Sequence, residues 1–485
     1  MKQLSGLDAG FLYMETPSTF GHISSMSVYD KPTERGVRPY ELVRERLEQR
    51  LPILEPLRRR LVEVPFQLDH PWWIEDPDFD IDFHVRHLAV PGSRRDRALA
   101  DLVGRLISRP LDRTKPLWEA YVIEGLPDKR WALVLKIHHA TIDGAAGALM
   151  TMMLLDEEPN AAPPPMPELP PTENVPTPVE MVGKTLITTA ARPQRFVALQ
   201  GKLIRDAFRM ATENRQRIQD AWMDLFQRQP GEDGAPIPSG RAPHTPFNKS
   251  ITPHRRFAFR SFSLDDMKAL KNHFGTTLGD PVTLNDVVMA VCAGALRRYL
   301  DRHEALPEEP LVAAVPVSIR TGEEEDVWTN RVSSIFSRLP THLGDSVDRV
   351  RFVHEAMNTA KGSFDLVPAE TLVDFAEFAP PTVFTEAAAL MTRMHMADRL
   401  RPLVNLVISN VPGPRQPLFM GSARLQHYYP VSTIAEGQGL NITVQSYENK
   451  LDLGLVGCRD LLPDLWHLLE DVDAEMEELL ALLPE

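Results

Sequence analysis

The stretch WALVLKIHHATIDGAAGALMTMMLL, residues 131–155, decides the fold. Residues 131–137 form a continuous run of strand length, and residues 144–155 are small and apolar over the length of a helix. We therefore predict a buried strand, then a turn that holds His138, His139 and Asp143, then a buried helix. A strand that leads directly into a helix is typical of mixed α/β folds.

Composition narrows the class of protein. The chain has 485 residues, 43% of them hydrophobic, and a formal net charge of −14, so we expect two or three globular domains and no nucleic-acid partner. Cys292 and Cys458 each lack a neighbouring thiol, which favours a reducing cytosol and argues against a zinc site. Asp8 precedes any apolar run, so we expect no cleaved export signal, and no window of about 18 apolar residues predicts a membrane span.

A proline-rich connector divides the chain. Nine prolines fall between Pro159 and Pro178, where neither helix nor central strand can form. We predict an N-terminal domain over 1–158, a connector and helical segment over 159–240, and a C-terminal domain over 241–485. Within 184–229, nine Lys and Arg oppose four Asp and Glu. This excess indicates either a solvated helix face or a surface for anionic lipid or a polyphosphate-bearing substrate.

Patterns beyond the connector predict further strands and helices. Ser263 with Asp266, and Thr283 with Asp286, have the spacing of a capping box and predict two helix starts. Residues 311–319 and 402–411 are typical of buried strands, and 440–458 predicts a hairpin that turns near 448–450. Residues 464–483 predict an amphipathic helix.

The histidine pair allows several kinds of chemistry. Neighbouring side chains of a strand point to opposite faces, so His138 and His139 do not both enter one pocket. His139 and Asp143 supply too few ligands for a metal site, so we expect none. The chain has no G-x-S-x-G nucleophile motif, and the GKT at 183–185 lacks the other features of a P-loop. A histidine that acts alone as a general base remains, beside a purely structural pair.

The motif HHATIDG resembles the HHxxxDG signature of the chloramphenicol-acetyltransferase-like acyltransferases. Five further segments occur in the order found in the bacterial wax ester synthase/diacylglycerol acyltransferase family. They are LSGLDAGFLYMET (4–16), PLDRTKPLWEAYVIEGL (110–126), LNDVVMAVCAGALRRYL (284–300), VPVSIRT (315–321) and LVISNVPGP (406–414). The resemblance covers nearly the whole chain. It implies an α/β fold of two such domains side by side, with an active-site tunnel between them.

The resemblance also implies roles for individual residues. His139 would be the catalytic base and His138 a supporting residue. Asp143 would fix the loop through an ion pair with Arg320, and Gly144 would let the helix begin close to the site. Asn285 matches the Asn-Asp pair of the family and would orient the acceptor or stabilise the oxyanion.

The implied activity is direct transfer of an acyl group from acyl-CoA, as co-substrate, to diacylglycerol or a long-chain fatty alcohol. No other cofactor is implied. We expect a cytoplasmic protein that associates peripherally with the membrane or the lipid-droplet surface. Two alternatives stay open: an acyltransferase of the same superfamily that uses another hydroxylated lipid, such as a polyketide diol, and a non-catalytic lipid-binding homologue.

Overall fold

The structure of the chain is a computed structural model. It describes residues 1–90, 96–142, 144–162, 165, 167–168, 174–184, 242–318, 328, 332–364, 385, 389–390 and 392–484. The basic segment 184–229 therefore lies outside the described residues, apart from Lys184.

The first of two six-stranded sheets carries the motif. Its order is β12-β13-β2-β7-β6-β5, and β7, which ends at His138, lies between β2 and β6. The strands are β2 (His22–Tyr29), β5 (Val85–Ala89), β6 (Trp118–Glu124), β7 (Trp131–His138), β12 (Phe419–Met420) and β13 (Ala423–Val431). Every residue of β7 is buried, as the sequence predicts for a central strand.

Helices α1 to α5 accompany this first sheet, and a small sheet adds to it. The helices are α1 (Gly6–Tyr13), α2 (Pro39–Arg50), α3 (Ile81–His84), α4 (Asp96–Ile107) and α5 (Gly144–Leu154). The small sheet pairs β1 (Lys2–Gln3), β4 (Trp72–Glu75) and β3 (Arg59–Val62) in that order. A further short helix, α6, spans 178–184.

The second six-stranded sheet has the order β10-β9-β11-β14-β15-β8. Its strands are β8 (Arg255–Ser263), β9 (Leu311–Ser318), β10 (Val332–Leu339), β11 (Leu406–Val411), β14 (Leu440–Tyr447) and β15 (Lys450–Cys458). Its helices are α7 (Leu264–Leu278), α8 (Leu284–Arg302), α9 (Ser346–Phe364) and α10 (Leu465–Leu480). Both sheets are mixed, because β5 pairs with β6, and β11 with β9 and β14, in parallel.

Most of the predicted elements are confirmed. The Thr283 side chain accepts from the backbone of Asp286, whose carboxylate accepts in return from Thr283, and this capping box starts α8. The hairpin turns at Glu448 and Asn449 as predicted. Two predictions were wrong in detail. Helix α5 is buried on one side only, because Leu149 and Met152 are exposed, and β11 begins at Leu406 rather than at Pro402, which has no N–H to pair.

The two sheets meet where the chain crosses from one to the other. Strands β12 and β13 come late in the chain, yet β13 pairs with β2 of the first sheet. Gly454 of β15 lies so close to β13 that a Cβ there would be 1.8 Å from the carbonyl oxygen of Pro430. The division into 1–158, 159–240 and 241–485 stays a prediction. The first sheet contains strands from both 1–158 and 241–485.

Within the part of the chain that the structure describes, no helix combines the length and the apolar character needed to cross a bilayer. Cys292 and Cys458 are both buried and unpaired.

Candidate active site

The two histidines of the motif occupy different environments. His138 is the last residue of β7, only 1% exposed, whereas His139 begins the turn that follows and is half-buried. This difference follows from the alternation of side chains along a strand. Only His139 therefore has a side chain that a substrate can reach without displacing the core.

Both ring nitrogens of His138 face protein atoms. Its Nδ1 accepts a hydrogen bond of 3.0 Å from the backbone N–H of Ala140, so the proton of the neutral ring is on Nε2. Nε2 lies 3.3 Å from Oε1 of Glu15. The same Oε1 accepts from the backbone N–H of Gly21 at 2.7 Å. His138 is thus fixed in one orientation at the base of the turn, between Glu15 and the chain that follows it.

Glu15 is the central residue that the sequence analysis missed. Its Oε2 accepts from Arg113 at 2.7 Å, and Arg113 also donates to the carbonyl of Leu12. Burial alone would raise the pKa of Glu15, but its contacts with His138, Gly21 and Arg113 outweigh burial and lower that pKa to about 2. A half-buried, ionised carboxylate therefore supports His138. Glu15 belongs to the quoted segment 4–16, but nothing in the local pattern pairs it with the motif.

Gly21 fits closely against His138. A Cβ at position 21 would lie 2.5 Å from Nε2 of that ring, which is closer than real side chains approach. Strand β2 pairs with β7 so that His22 lies opposite His138, and this register brings Gly21 beside the turn. Position 21 therefore requires glycine for space, and the same backbone binds both Glu15 and the motif.

His139 is held by its backbone and by an aromatic ring. Its N–H donates to the carbonyl of Gly21 at 2.7 Å. Its imidazole stacks on Phe11 of α1, with the ring centroids 4.1 Å apart and the planes 9° from parallel. These contacts set the position of the ring before a substrate arrives, which is what a general base requires.

The C-terminal half of the chain also holds the segment that carries Gly21. Arg255 of β8 donates to the carbonyl of Ser18 and lies over the ring of Phe20. Thr433 Oγ1 donates to the carbonyl of Phe20 at 2.7 Å. Burial is the main cause that lowers the pKa of Arg255 to about 10, so the guanidinium stays charged near neutral pH. The site is therefore built by both halves.

A cavity of about 180 Å³ lies beside the motif. Ala140 and Thr141, which follow His139 directly, form part of its wall. Lys2, Asp8 and Arg59 contribute charged groups, and Trp328 joins them from the C-terminal half. The cavity thus has a polar and charged lining next to the candidate base.

Asn285 lies in the first turn of α8 and is half-buried. The turn is fixed by its neighbour Asp286, whose Oδ2 accepts from the backbone of Thr283 at 2.9 Å and lies 3.0 Å from Nδ1 of His354. His354 Nε2 lies 3.0 Å from Asp280. The position of Asn285 is therefore well defined, whereas its role stays a prediction.

The predicted ion pair between Asp143 and Arg320 falls on two residues that both lie outside the described part of the chain. Gly144 is the first residue of α5, as predicted, and its own contacts are not among those described. Among the described His, Cys, Asp and Glu residues, no group of three is arranged to hold a metal ion.

Family models match most of the chain. The model described as "Wax ester synthase/diacylglycerol acyltransferase catalytic domain" matches residues 4–288, and the model described as "WS/DGAT C-terminal domain" matches residues 328–480. The first of these contains the motif, Glu15, Gly21 and Asn285. The second begins at Trp328, on the wall of the cavity.

Individual proteins give the same result. A putative diacylglycerol O-acyltransferase of Mycobacterium tuberculosis is 35% identical over 99% of this chain and 90% of its own length. The solved wax ester synthase/diacylglycerol acyltransferase of Marinobacter aquaeolei is 29% identical, covers 99% of this chain and 98% of that chain, and superposes with a TM-score of 0.66.

The first condensation domain of the calcium-dependent antibiotic synthetase shares the fold, at 17% identity over 100% of this chain and 98% of that chain, with a TM-score of 0.57. These likenesses confirm the predicted fold class, a mixed α/β architecture of two chloramphenicol-acetyltransferase-like domains. With a catalytic-domain model over more than half of its length and relatives aligned from end to end, the chain belongs to the wax ester synthase/diacylglycerol acyltransferase family.

Proposed function

We propose that the chain transfers the acyl group of a long-chain acyl-CoA to the hydroxyl of a diacylglycerol or a fatty alcohol, with His139 as the general base. One observation carries this proposal. The motif divides into a buried His138, engaged by Glu15 and Ala140, and a half-buried His139 whose ring is held against Phe11. Family membership supports the substrate class.

In this reaction the same side chain, His139, transfers a proton in two successive steps. His139 takes the proton of the acceptor hydroxyl while its oxygen forms a bond to the thioester carbonyl carbon. The tetrahedral oxyanion then collapses, the carbon–sulfur bond breaks, and His139 returns the proton to the departing thiolate. The products are an ester and free CoA. Such a base typically contributes about 10²- to 10⁴-fold, and holding both substrates in line contributes further.

Other residues support this step in the proposal. Asn285 orients the acceptor or stabilises the oxyanion, with an amide suited to either role. Asp143 pairs with Arg320 and fixes the turn after His139, while Gly144 lets α5 start close to it. The substrates enter a tunnel between the two halves from opposite sides, so that neither blocks the other.

A grid of acceptors tests the activity. The purified chain is given palmitoyl-CoA with dioleoylglycerol, hexadecanol or a long-chain 1,3-diol, and both thiol release and ester are measured. We expect one thiol for each ester with dioleoylglycerol or hexadecanol. Ester formed with the diol alone would reassign the acceptor to another hydroxylated lipid. Thiol release in the absence of any acceptor would favour a hydrolase. No thiol release with any of the acceptors would favour a non-catalytic lipid-binding homologue.

We further propose that the protein is cytoplasmic and works at the surface of a membrane or lipid droplet, where its acceptors partition. Two large apolar side chains support this. Phe66 is 85% exposed, and Val179 of α6 is 81% exposed although Met181 of the same helix is buried. Each such side chain gains about 1.5–3 kcal/mol on leaving water. The basic segment 184–229, which follows α6, adds charge of the sign that anionic lipid attracts.

Flotation with vesicles of phosphatidylcholine and phosphatidylglycerol tests the location. We expect the protein to float with the vesicles, and the double variant Phe66→Ser, Val179→Ser to lose most of the bound fraction. Phe336→Ser is the matched control, since Phe336 is also exposed but lies on β10. Wild-type protein that stays in the soluble fraction, or equal losses in both variants, would contradict the proposal.

A further inference from the structure

The cavity beside the motif contains an uncompensated polar group. Thr141 lies two residues after His139, lines the cavity and is 8% exposed. Its Oγ1 is buried and has no hydrogen-bond partner among the described residues. A buried hydroxyl without a partner costs about 1–3 kcal/mol. A ligand that brings a hydrogen-bonding group into the cavity would remove that cost, whereas a hydrocarbon chain would not.

The charges of the same wall narrow the class of ligand. Lys2, Arg59 and Asp8 all line the cavity, and Arg59 forms an ion pair with Glu55. The pKa of Lys2 is lowered, first by burial and then by the positive charge of Arg59, while Asp8 opposes this effect. An anion in the cavity would relieve the repulsion between the two cations. Diacylglycerol and fatty alcohols are neutral, whereas CoA carries phosphates and two amides.

The size of the cavity sets how much of CoA it holds. Its volume of about 180 Å³ slightly exceeds the roughly 150 Å³ of a cavity that accommodates benzene. It is therefore too small for the whole cofactor and suits a section of its amide-bearing arm. Ala140 and Thr141 connect this space directly to the turn that holds His139.

We propose that this cavity binds the amide-bearing arm of acyl-CoA, with Thr141 Oγ1 hydrogen-bonded to the arm and with Lys2 and Arg59 on the side of its phosphates. The inference rests on the proposed acyl-CoA-dependent activity and adds the site at which the CoA moiety is recognised. Thr141 is then a binding residue for the donor substrate, separate from the acceptor.

The test compares three variants. Thr141→Val keeps the shape and removes the hydroxyl, and Thr141→Ser keeps the hydroxyl. The control is Thr341→Val, because Thr341 is also buried and its Oγ1 also has no partner among the described residues, but it lies far along the chain in the turn after β10. Loss of an orphaned hydroxyl should leave Tm unchanged or raised in both valine variants. A fall in Tm limited to Thr141→Val would show that the Thr141 hydroxyl has a hydrogen-bond partner within the folded chain, and would contradict the proposal.

Steady-state kinetics provide the first readout. We expect Thr141→Val to raise KM for palmitoyl-CoA about five- to tenfold, the effect of one lost hydrogen bond, with KM for the acceptor unchanged. Thr141→Ser, which keeps the hydroxyl, should recover most of this loss, and Thr341→Val should behave like wild type. An unchanged KM for palmitoyl-CoA would overturn the inference, and a raised KM for the acceptor alone would assign the cavity to the acceptor instead.

A second readout does not depend on turnover. Calorimetric titration with S-hexadecyl-CoA, a thioether that cannot react, should give a Kd that rises about five- to tenfold in Thr141→Val. If wild type makes no ester but this shift is present, the proposed function fails while the CoA site stands. If wild type makes ester and the shift is absent, only the site fails.

The contribution of Arg59 is tested separately. Arg59→Gln should weaken the use of palmitoyl-CoA but not that of the palmitoyl thioester of N-acetylcysteamine, which has an amide and no phosphates. A loss of equal size with both donors would overturn the assignment of Arg59 to the phosphates.

Discussion

Glu15 and His138 contact each other beneath the motif, with Nε2 of the histidine 3.3 Å from Oε1 of the carboxylate. The contact joins the segment just after α1 to the end of β7, and these two parts are far apart in the chain. The backbone N–H of Ala140 donates to the other ring nitrogen of His138 and so sets the tautomer of the neutral ring, while the nearby carboxylate faces the opposite side of the ring. His138 therefore supports the turn, and of the two histidines only His139 is partly exposed.

The carboxylate of Glu15 should make the fold sensitive to acid. Its pKa is lowered to about 2 in the folded chain, so its contribution is present above the unfolded value near 4.5 and is lost as pH falls from there towards 2. The shift corresponds to about 3 kcal/mol. In urea unfolding, Glu15→Gln should lower stability at pH 7 and flatten the dependence on pH below 4.5. Equal pH dependence in the variant and wild type would contradict this.

Adding a methyl group at Gly21 should disturb the site more than the fold. The new Cβ would lie 2.5 Å from Nε2 of His138, so the ring must shift and the backbone that binds His139 shifts with it. We expect Gly21→Ala to lower kcat at least tenfold, measured as thiol release. The control is Gly10→Ala within α1, where a Cβ meets nothing within 4 Å and a helical alanine is stabilising by about 1 kcal/mol. Full activity in Gly21→Ala would show that the close fit is not needed.

His354 should make the first turn of α8 sensitive to pH. Burial lowers its pKa, but the bonds to Asp280 and Asp286 outweigh burial and raise it. The stabilisation is therefore present below the unfolded value near 6.5 and is lost as pH rises through the folded one. Urea unfolding should show wild type losing more stability than His354→Gln between pH 6 and pH 9. Parallel curves for the two proteins would rule out this linkage.

The local elements could be predicted from the sequence, because their signals are local. Thr283 and Asp286 are three residues apart, and the turn at Glu448 and Asn449 separates two alternating strands. The contact between Glu15 and His138 joins residues far apart in the chain, so no local pattern predicts it. The same holds for the pairing of β13 with β2. Contacts of that kind depend on the packed fold. The family resemblance points to His139 as the candidate base, but only packing shows why His138 is unavailable to substrate.

The predicted ion pair of Asp143 with Arg320 is tested by exchanging the charges. Asp143→Arg and Arg320→Asp should each lower kcat/KM, and the double variant should recover part of the loss, with a coupling energy of about 1–3 kcal/mol. Losses that simply add would show that the two residues do not interact.

The central claim is that His139 is the base, and the kcat of His139→Ala tests it most directly. The measurement is ester formed from palmitoyl-CoA at saturating acceptor, with Tm recorded in parallel. We predict that kcat falls about 10²- to 10⁴-fold, while Tm and the Kd for S-hexadecyl-CoA stay close to those of wild type. A variant that folds, binds and keeps its kcat within about threefold of wild type, an effect of less than 1 kcal/mol, would contradict the account.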